Sequence, residues 1–124
     1  MKLQFLSPML EAVDLKETIR FYTETLGFEC VDCLPDHENP AWACFEKDQA
    51  TLMFTTRNEQ SPHIKPEMTG TLYFHPDDIN TAWQELKDKA EIEYPLEDFD
   101  YGMREFAIRD CNGYLLQFGQ EIAD

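Results

Sequence analysis

The chain has 124 residues, of which 43% are hydrophobic, a length and composition typical of one globular domain. Its formal net charge is −15, with 25 acidic and 10 basic residues, which argues against a nucleic-acid or anionic membrane partner. The field of such a chain favours a cationic ligand. The N-terminus lacks the apolar run of a signal peptide, so we expect a cytoplasmic protein.

The first half of the chain predicts a strand, a helix and three further strands. Asp14 is the expected helix N-cap, with Glu17 as its capping-box partner, and Gly27 is placed to end the helix. The predicted strands comprise residues 3–10, 28–34, 41–46 and 51–56.

The second half repeats this order after a polar, proline-containing segment at residues 57–69, which we interpret as a linker. Asp77 or Asp78 is the expected N-cap of the second helix. The turn at residues 111–113 contains Asn-Gly, the strongest local hairpin signal. The predicted strands comprise residues 71–75, 91–94, 103–110 and 114–119.

A constant spacing of 64 residues relates the two halves. It separates the N-cap candidates Asp14 and Asp78 and also the turn residues Gln49 and Gly113. We therefore predict an α+β protein built from two βαβββ modules, at residues 1–56 and 70–121 of a single domain.

Four cysteines are present, and two of them form a Cys-x-x-Cys sequence at Cys30 and Cys33. Such a pair is compatible with redox or zinc chemistry. These two residues lie in a predicted strand, however, where residues three apart point to opposite faces. The sequence contains no second Cys-x-x-Cys, so we expect ordinary reduced thiols.

Two segments carry a family resemblance over nearly the whole chain. LEAVDLKETIRFYTETLGFE resembles the opening of the glyoxalase, or vicinal-oxygen-chelate, superfamily, and REFAIRDCNGYLLQFG is similar to the closing hairpin of its bleomycin-resistance branch. Cys111 stands where that hairpin usually has proline. The resemblance implies paired modules whose curved mixed sheets enclose a cleft, and it implies a homodimer.

The metal-dependent enzymes of that superfamily take four cleft ligands, usually His, Glu or Gln. The resemblance places the corresponding positions at Ser7, Met53, Thr71 and Gln117. Only Gln117 has a side chain suited to a divalent metal, whereas a catalytic site needs roughly three protein ligands. We therefore predict no metal, no other cofactor and no catalytic residue.

Strand alternation assigns five of the candidate side chains to the cleft face, and Trp42 and Tyr101 come from segments placed to form its walls. The candidate ligand-binding residues are aromatic, sulfur-containing or polar: Trp42, Met53, Tyr73, Tyr101, Met103, Glu105 and Gln117. Such a lining suits a flat or cationic organic molecule. Each aromatic residue is equally compatible with an ordinary core or interface, and Glu105 with an ion pair to Arg104 or Arg109.

The resemblance and the lost ligands favour a metal-independent binding protein that sequesters a cationic antibiotic of the bleomycin type. The alternative is a metal-dependent lyase, isomerase or ring-cleaving dioxygenase. If the alignment to the family were shifted by a residue or two, Gln4, Glu11 and Glu46 would become candidate metal ligands. Two further possibilities stay open. One is a regulatory module whose acidic surface contacts a protein partner, and the other is a general acid–base pair of Glu105 and His75 in the cleft.

Overall fold

The computed structural model of the protein describes residues 1–56 and 65–123. The chain divides into two compact units, Met1–Pro66 and Glu67–Asp124. Each unit contains one four-stranded mixed sheet and one helical segment, in the order strand, helix and three strands. This confirms the predicted α+β class and the two βαβββ modules. Most of the predicted linker lies outside the described residues.

Unit 1 orders its strands β1-β4-β3-β2, with β1 parallel to β4 and the other pairs antiparallel. Its elements are β1 (Met9–Ala12), α1 (Leu15–Arg20), a π-helical turn (Phe21–Thr25), β2 (Glu29–Leu34), β3 (Trp42–Lys47) and β4 (Ala50–Thr56).

Unit 2 has the equivalent order β5-β8-β7-β6, with β5 parallel to β8. Its elements are β5 (Leu72–Phe74), α2 (Ile79–Leu86), β6 (Glu91–Asp98), β7 (Met103–Arg109) and β8 (Leu115–Glu121).

The strand register preserves the spacing of 64 residues. Met9 lies opposite Met53 in unit 1, and Tyr73 lies opposite Gln117 in unit 2. Each residue of the first pair is 64 positions before its counterpart in the second, so the internal repeat extends to individual pairs of residues.

The first strand starts later than predicted. Strand β1 begins at Met9, and residues 1–8 have no strand structure. Parallel pairing to β4 begins with the hydrogen bond from the Met53 amide to the Pro8 carbonyl, 2.9 Å long. Leu3, Phe5 and Leu6 are exposed, and no strand among residues 9–56 and 65–123 pairs with them. The prediction of a strand at residues 3–10 is therefore mostly wrong.

Both helices begin at the predicted aspartates. Asp14 Oδ1 accepts a hydrogen bond from the Glu17 amide at 3.2 Å, and Asp78 caps α2. The helix of unit 1 then widens into its π-helical turn, where the Thr23 hydroxyl donates to the Ile19 carbonyl at 2.7 Å. Among the described residues, no helix has the length and apolar character that crossing a membrane requires.

A bulge in β2 changes the direction of two cysteines. The register shifts between Cys30 and Asp32, so that Cys30 lies opposite Phe45 and Cys33 lies opposite Ala43. Phe45 and Ala43 are fully buried on the helix-covered face of the sheet. Cys30 and Cys33 therefore share that face, and the prediction of opposite faces is wrong because the bulge adds a residue between them.

Each sheet packs one face against its own helix. In unit 1, Tyr22 contacts Phe45 and Phe54 at ring-centroid distances of 5.7 and 4.9 Å. In unit 2, Trp83 of α2 contacts Phe106 at 5.1 Å, and Phe106 stacks on Phe118 at 5.0 Å. These cores leave the opposite sheet faces to carry polar and functional side chains.

Candidate functional site

The face of the unit 2 sheet that points away from α2 carries five of the predicted ligand-binding residues, and hydrogen bonds join four of them. Strand β7 alternates, so that Phe106 packs under the helix and Glu105 points to the other side. Glu105 lies opposite Gly119 of β8, and Gln117 follows on the same face. We call the following five residues the Glu105 cluster: Tyr73, Tyr94, Tyr101, Glu105 and Gln117.

Glu105 is the centre of this cluster and is only 1% exposed. Its Oε1 atom accepts hydrogen bonds from the hydroxyls of Tyr73 at 2.7 Å and Tyr101 at 3.0 Å. Its Oε2 atom accepts from the Tyr94 hydroxyl and from Gln117 Nε2, the latter at 3.3 Å. A carboxylate loses its hydrogen bonds to water when it is buried, and here four neutral donors take their place.

Tyr94 belongs to the cluster but was missed by the sequence analysis. Its hydroxyl contacts Glu105 and also accepts a 2.8 Å hydrogen bond from Gln117 Nε2. In strand β6, half-buried residues alternate with exposed ones, and Tyr94 is one of the half-buried residues. Regular alternation would place Tyr94 on the face of Ile92, which lies opposite the core residue Ile108. A register shift between Ile92 and Tyr94 sets Tyr94 opposite Ala107 instead, so alternation in the sequence did not identify it.

Strand β6 is longer than predicted, continuing past Pro95 to Asp98. It is an edge strand, and its pairing to β7 shifts register on both sides of Tyr94. Proline is tolerated at a sheet edge or a bulge because no ladder hydrogen bond is lost there. The predicted strand, residues 91–94, contained Tyr94 but gave no sign of the register shift that sets it opposite Ala107.

The tyrosines of the cluster are weaker acids than free tyrosine. Desolvation, followed by hydrogen bonding to Glu105, raises the pKa of Tyr94 to about 12. The same causes raise the pKa of Tyr73 and of Tyr101. All three hydroxyls therefore keep their protons at neutral pH and act as hydrogen-bond donors to the carboxylate.

Aromatic rings surround the carboxylate. Tyr101 stacks on Phe99 with ring centroids 5.4 Å apart and planes 12° apart, and Tyr94 meets Phe99 edge-on at 5.6 Å. His75 is exposed and lies 5.0 Å from the Tyr73 ring. The hydroxyl of Tyr73, rather than His75, is the group that contacts Glu105.

The other predicted ligand-binding residues lie outside the cluster. Met103 is half-buried on β7, two residues before Glu105 on the same face. In unit 1, Trp42 lies opposite Thr55, and Met53 lies opposite Cys44. Trp42 and Met53 are both half-buried on the sheet face away from α1.

The two arginines of β7 are paired elsewhere. Arg104 forms an ion pair with Asp98 at 2.6 Å, and Arg109 forms one with Glu93 at 3.0 Å. The alternative that Glu105 pairs with either arginine is therefore wrong. No cationic side chain within residues 1–56 and 65–123 forms an ion pair with Glu105.

The side chains at the four expected metal-ligand positions do not suit a divalent metal. The Thr71 hydroxyl donates to the Leu115 carbonyl at 2.9 Å, and Ser7 precedes the first strand. Met53 offers only a thioether, and the Gln117 amide nitrogen faces Tyr94 and Glu105. Across the described part of the chain, no three His, Cys, Asp or Glu side chains are grouped to hold a metal ion.

Unit 2 also has an open groove of about 300 Å³ on the opposite face of its sheet. It is lined by Ile79, Arg104, Gln120, Glu121, Ile122 and Ala123. Two of its polar side chains are already paired, since Gln120 Oε1 accepts from the Ile79 amide at 2.9 Å and Arg104 forms an ion pair with Asp98. The carboxylate that lines this groove, Glu121, is exposed, and the groove has no aromatic side chain in its lining.

Solved structures with the same fold include proteins of different activities. TioX from a Micromonospora species has a TM-score of 0.79 and 18% identity, over 96% of this chain and 99% of that one. TnmS3, an antibiotic binding protein from a Streptomyces species, has a TM-score of 0.76 and 18% identity, with 98% of each chain covered. A lactoylglutathione lyase from Agrobacterium tumefaciens has a TM-score of 0.69 and 19% identity, over 94% and 92%.

Similarities at these levels of identity show the fold alone. No curated protein matches the chain. The profile of one family, described as Glyoxalase/Bleomycin resistance protein/Dioxygenase superfamily, matches residues 6–118. Because this match covers both modules, the chain belongs to the glyoxalase/bleomycin resistance protein/dioxygenase superfamily.

Proposed function

We propose that the protein is a metal-independent binding protein for an organic cation and that the Glu105 cluster is its ligand site. The observation that carries this proposal is a carboxylate that is 1% exposed and has no cationic partner among the described residues. An organic cation would supply the missing opposite charge, and the surrounding aromatic rings favour it further.

The finer form of the proposal is sequestration of a cationic antibiotic of the bleomycin type, in the cytoplasm, by a homodimer. TnmS3, which shares the fold, is an antibiotic binding protein, and this supports small-molecule binding as a use of the fold. The net charge of −15 supports a cation over an anion.

The test is a calorimetric titration of bleomycin and a panel of other cationic antibiotics into protein kept in EDTA. We expect saturable binding by at least one of them. The substitution Glu105→Gln should weaken that binding about tenfold to a hundredfold, because a hydrogen bond to a charged group contributes roughly 1.5–3 kcal/mol.

The matched control is Glu93→Gln, which makes the same chemical change at an exposed carboxylate of the same unit. It should leave the affinity unchanged, and circular dichroism should show both variants folded. The proposal fails if no cation binds the unmodified protein in EDTA, or if the two variants have equal affinities. Light scattering during the same experiments reports whether the protein is a dimer.

A further inference from the structure

The Glu105 carboxylate is covered by its own neighbours in the chain, and this limits how any ligand reaches it. Four donors occupy its two oxygens, and its side chain is 1% exposed. A cation touches either oxygen only after one of these donors has moved. On the proposed function, in which a cation contacts Glu105, one of the four donors has to move when the ligand binds.

Three of the donors are held in place by the fold. Tyr73 lies on β5 with its ring directly over Gly119, where any side chain would collide with it. Tyr94 is bound from two sides, by Glu105 and by Gln117. Gln117 lies in the middle of β8, which is paired on both sides by β5 and β7. Moving any of these requires rearrangement of the sheet face.

Tyr101 is the exception. It lies in the turn between β6 and β7, just before Gly102, whose φ is +86°. Its side chain is 60% exposed, and its hydroxyl is at 3.0 Å from Oε1, compared with 2.7 Å for Tyr73. Rotation of this one side chain would free one of the two hydrogen-bond positions on Oε1 without moving a strand residue.

We propose that Tyr101 is a displaceable cap and that the ligand is an aryl cation with an N–H donor, which replaces Tyr101 on Glu105 and on Phe99. A protonated amine or guanidinium forms a charge-assisted hydrogen bond, roughly twice as strong as the neutral hydroxyl bond that it displaces. Phe99 then stacks on the ligand's ring in place of Tyr101, from which it is now 5.4 Å away.

This exchange excludes two related chemical classes. A quaternary ammonium ion is charged but has no N–H to donate to Oε1. A neutral alcohol donates a hydrogen bond but only replaces one neutral hydroxyl by another. The ligand therefore needs both the charge and the N–H group.

Three small probes separate these classes: 2-phenylethylammonium, its N,N,N-trimethyl analogue and 2-phenylethanol. Titration followed by NMR chemical shifts should show 2-phenylethylammonium binding about tenfold more tightly than the other two. The substitution Tyr101→Phe removes the competing hydroxyl but keeps the ring. It should tighten binding of the ammonium probe roughly three- to tenfold, because no hydrogen bond is then lost on binding.

Tyr94→Phe is the matched control, since it removes a hydroxyl from the same carboxylate at a position that the ligand does not vacate. It should not tighten binding.

The proposal that Tyr101 is a displaceable cap is wrong if Tyr101→Phe fails to tighten binding while Glu105→Gln still weakens it. The ligand class is overturned if the trimethyl analogue binds as well as the ammonium probe, or if the ammonium probe shows no saturable shift. If Glu105→Gln has no effect on a probe that binds, the proposed function itself is wrong.

Discussion

At the scale of single residues, Gly119 allows the Glu105 cluster to form. It lies opposite Glu105 on the neighbouring strand, and the Tyr73 ring crosses directly over it. A methyl group added at Gly119 would lie 2.7 Å from Tyr73 Cζ, well inside van der Waals contact. The backbone of Gly119 has no positive φ, so the requirement for glycine at this position is one of space.

We predict that Gly119→Ala lowers the free energy of unfolding by about 1–3 kcal/mol, because the Tyr73 ring must leave its position over the strand. Urea denaturation measures this change. Gly70→Ala is the matched control, since a methyl group there meets no atom within 4 Å and should have little effect. Equal stability of the two variants would show that Tyr73 does not depend on this close approach.

The sequence predicted part of this cluster for a simple reason. Alternation along regular strands placed Glu105 and Gln117 on the face away from the core, with Tyr73 on the neighbouring strand. Alternation does not report how close a ring passes to a backbone, so the role of Gly119 was not visible. Tyr94 was missed because it reaches the Glu105 face through a register shift after Ile92, and that shift depends on pairing with β7.

At the scale of elements, the helix starts were predictable and the first strand was not. A helix N-cap depends on residues within one turn, so Asp14 was identified from its immediate neighbours. A strand requires a partner, and residues 1–8 have none beyond the Pro8 carbonyl among the described residues. The bulge in β2 was also invisible, because it depends on pairing with β3.

The cap of α2 gives a prediction that separates two adjacent aspartates. Asp78 Oδ1 accepts from the amides of Asn80 at 3.1 Å and Thr81 at 3.2 Å. Asp78→Ala should therefore lower the free energy of unfolding by about 1 kcal/mol. Asp77→Ala removes the same charge one residue earlier without removing the cap, and it should cost much less. Urea denaturation of both variants at one ionic strength tests this, and a larger loss for Asp77→Ala would contradict the assignment.

At the scale of the whole molecule, the excess of acid has two opposite consequences. With 25 acidic and 10 basic residues, the folded chain repels itself, and this lowers its stability. The same field attracts a cationic ligand from solution and speeds its association. Salt screens both effects, because the Debye length falls from about 30 Å at 0.01 M to about 8 Å at 0.15 M.

We therefore predict that added sodium chloride moves stability and ligand binding in opposite directions. Between 0.01 and 0.15 M, about the range over which screening becomes strong, the urea midpoint should rise. Over the same range the association rate of a cationic ligand should fall about tenfold, while that of a neutral analogue stays constant. Urea denaturation measures the first change and stopped-flow fluorescence the second. A cation whose association rate does not depend on salt would show that the acidic surface favours solubility alone and does not guide the ligand to Glu105.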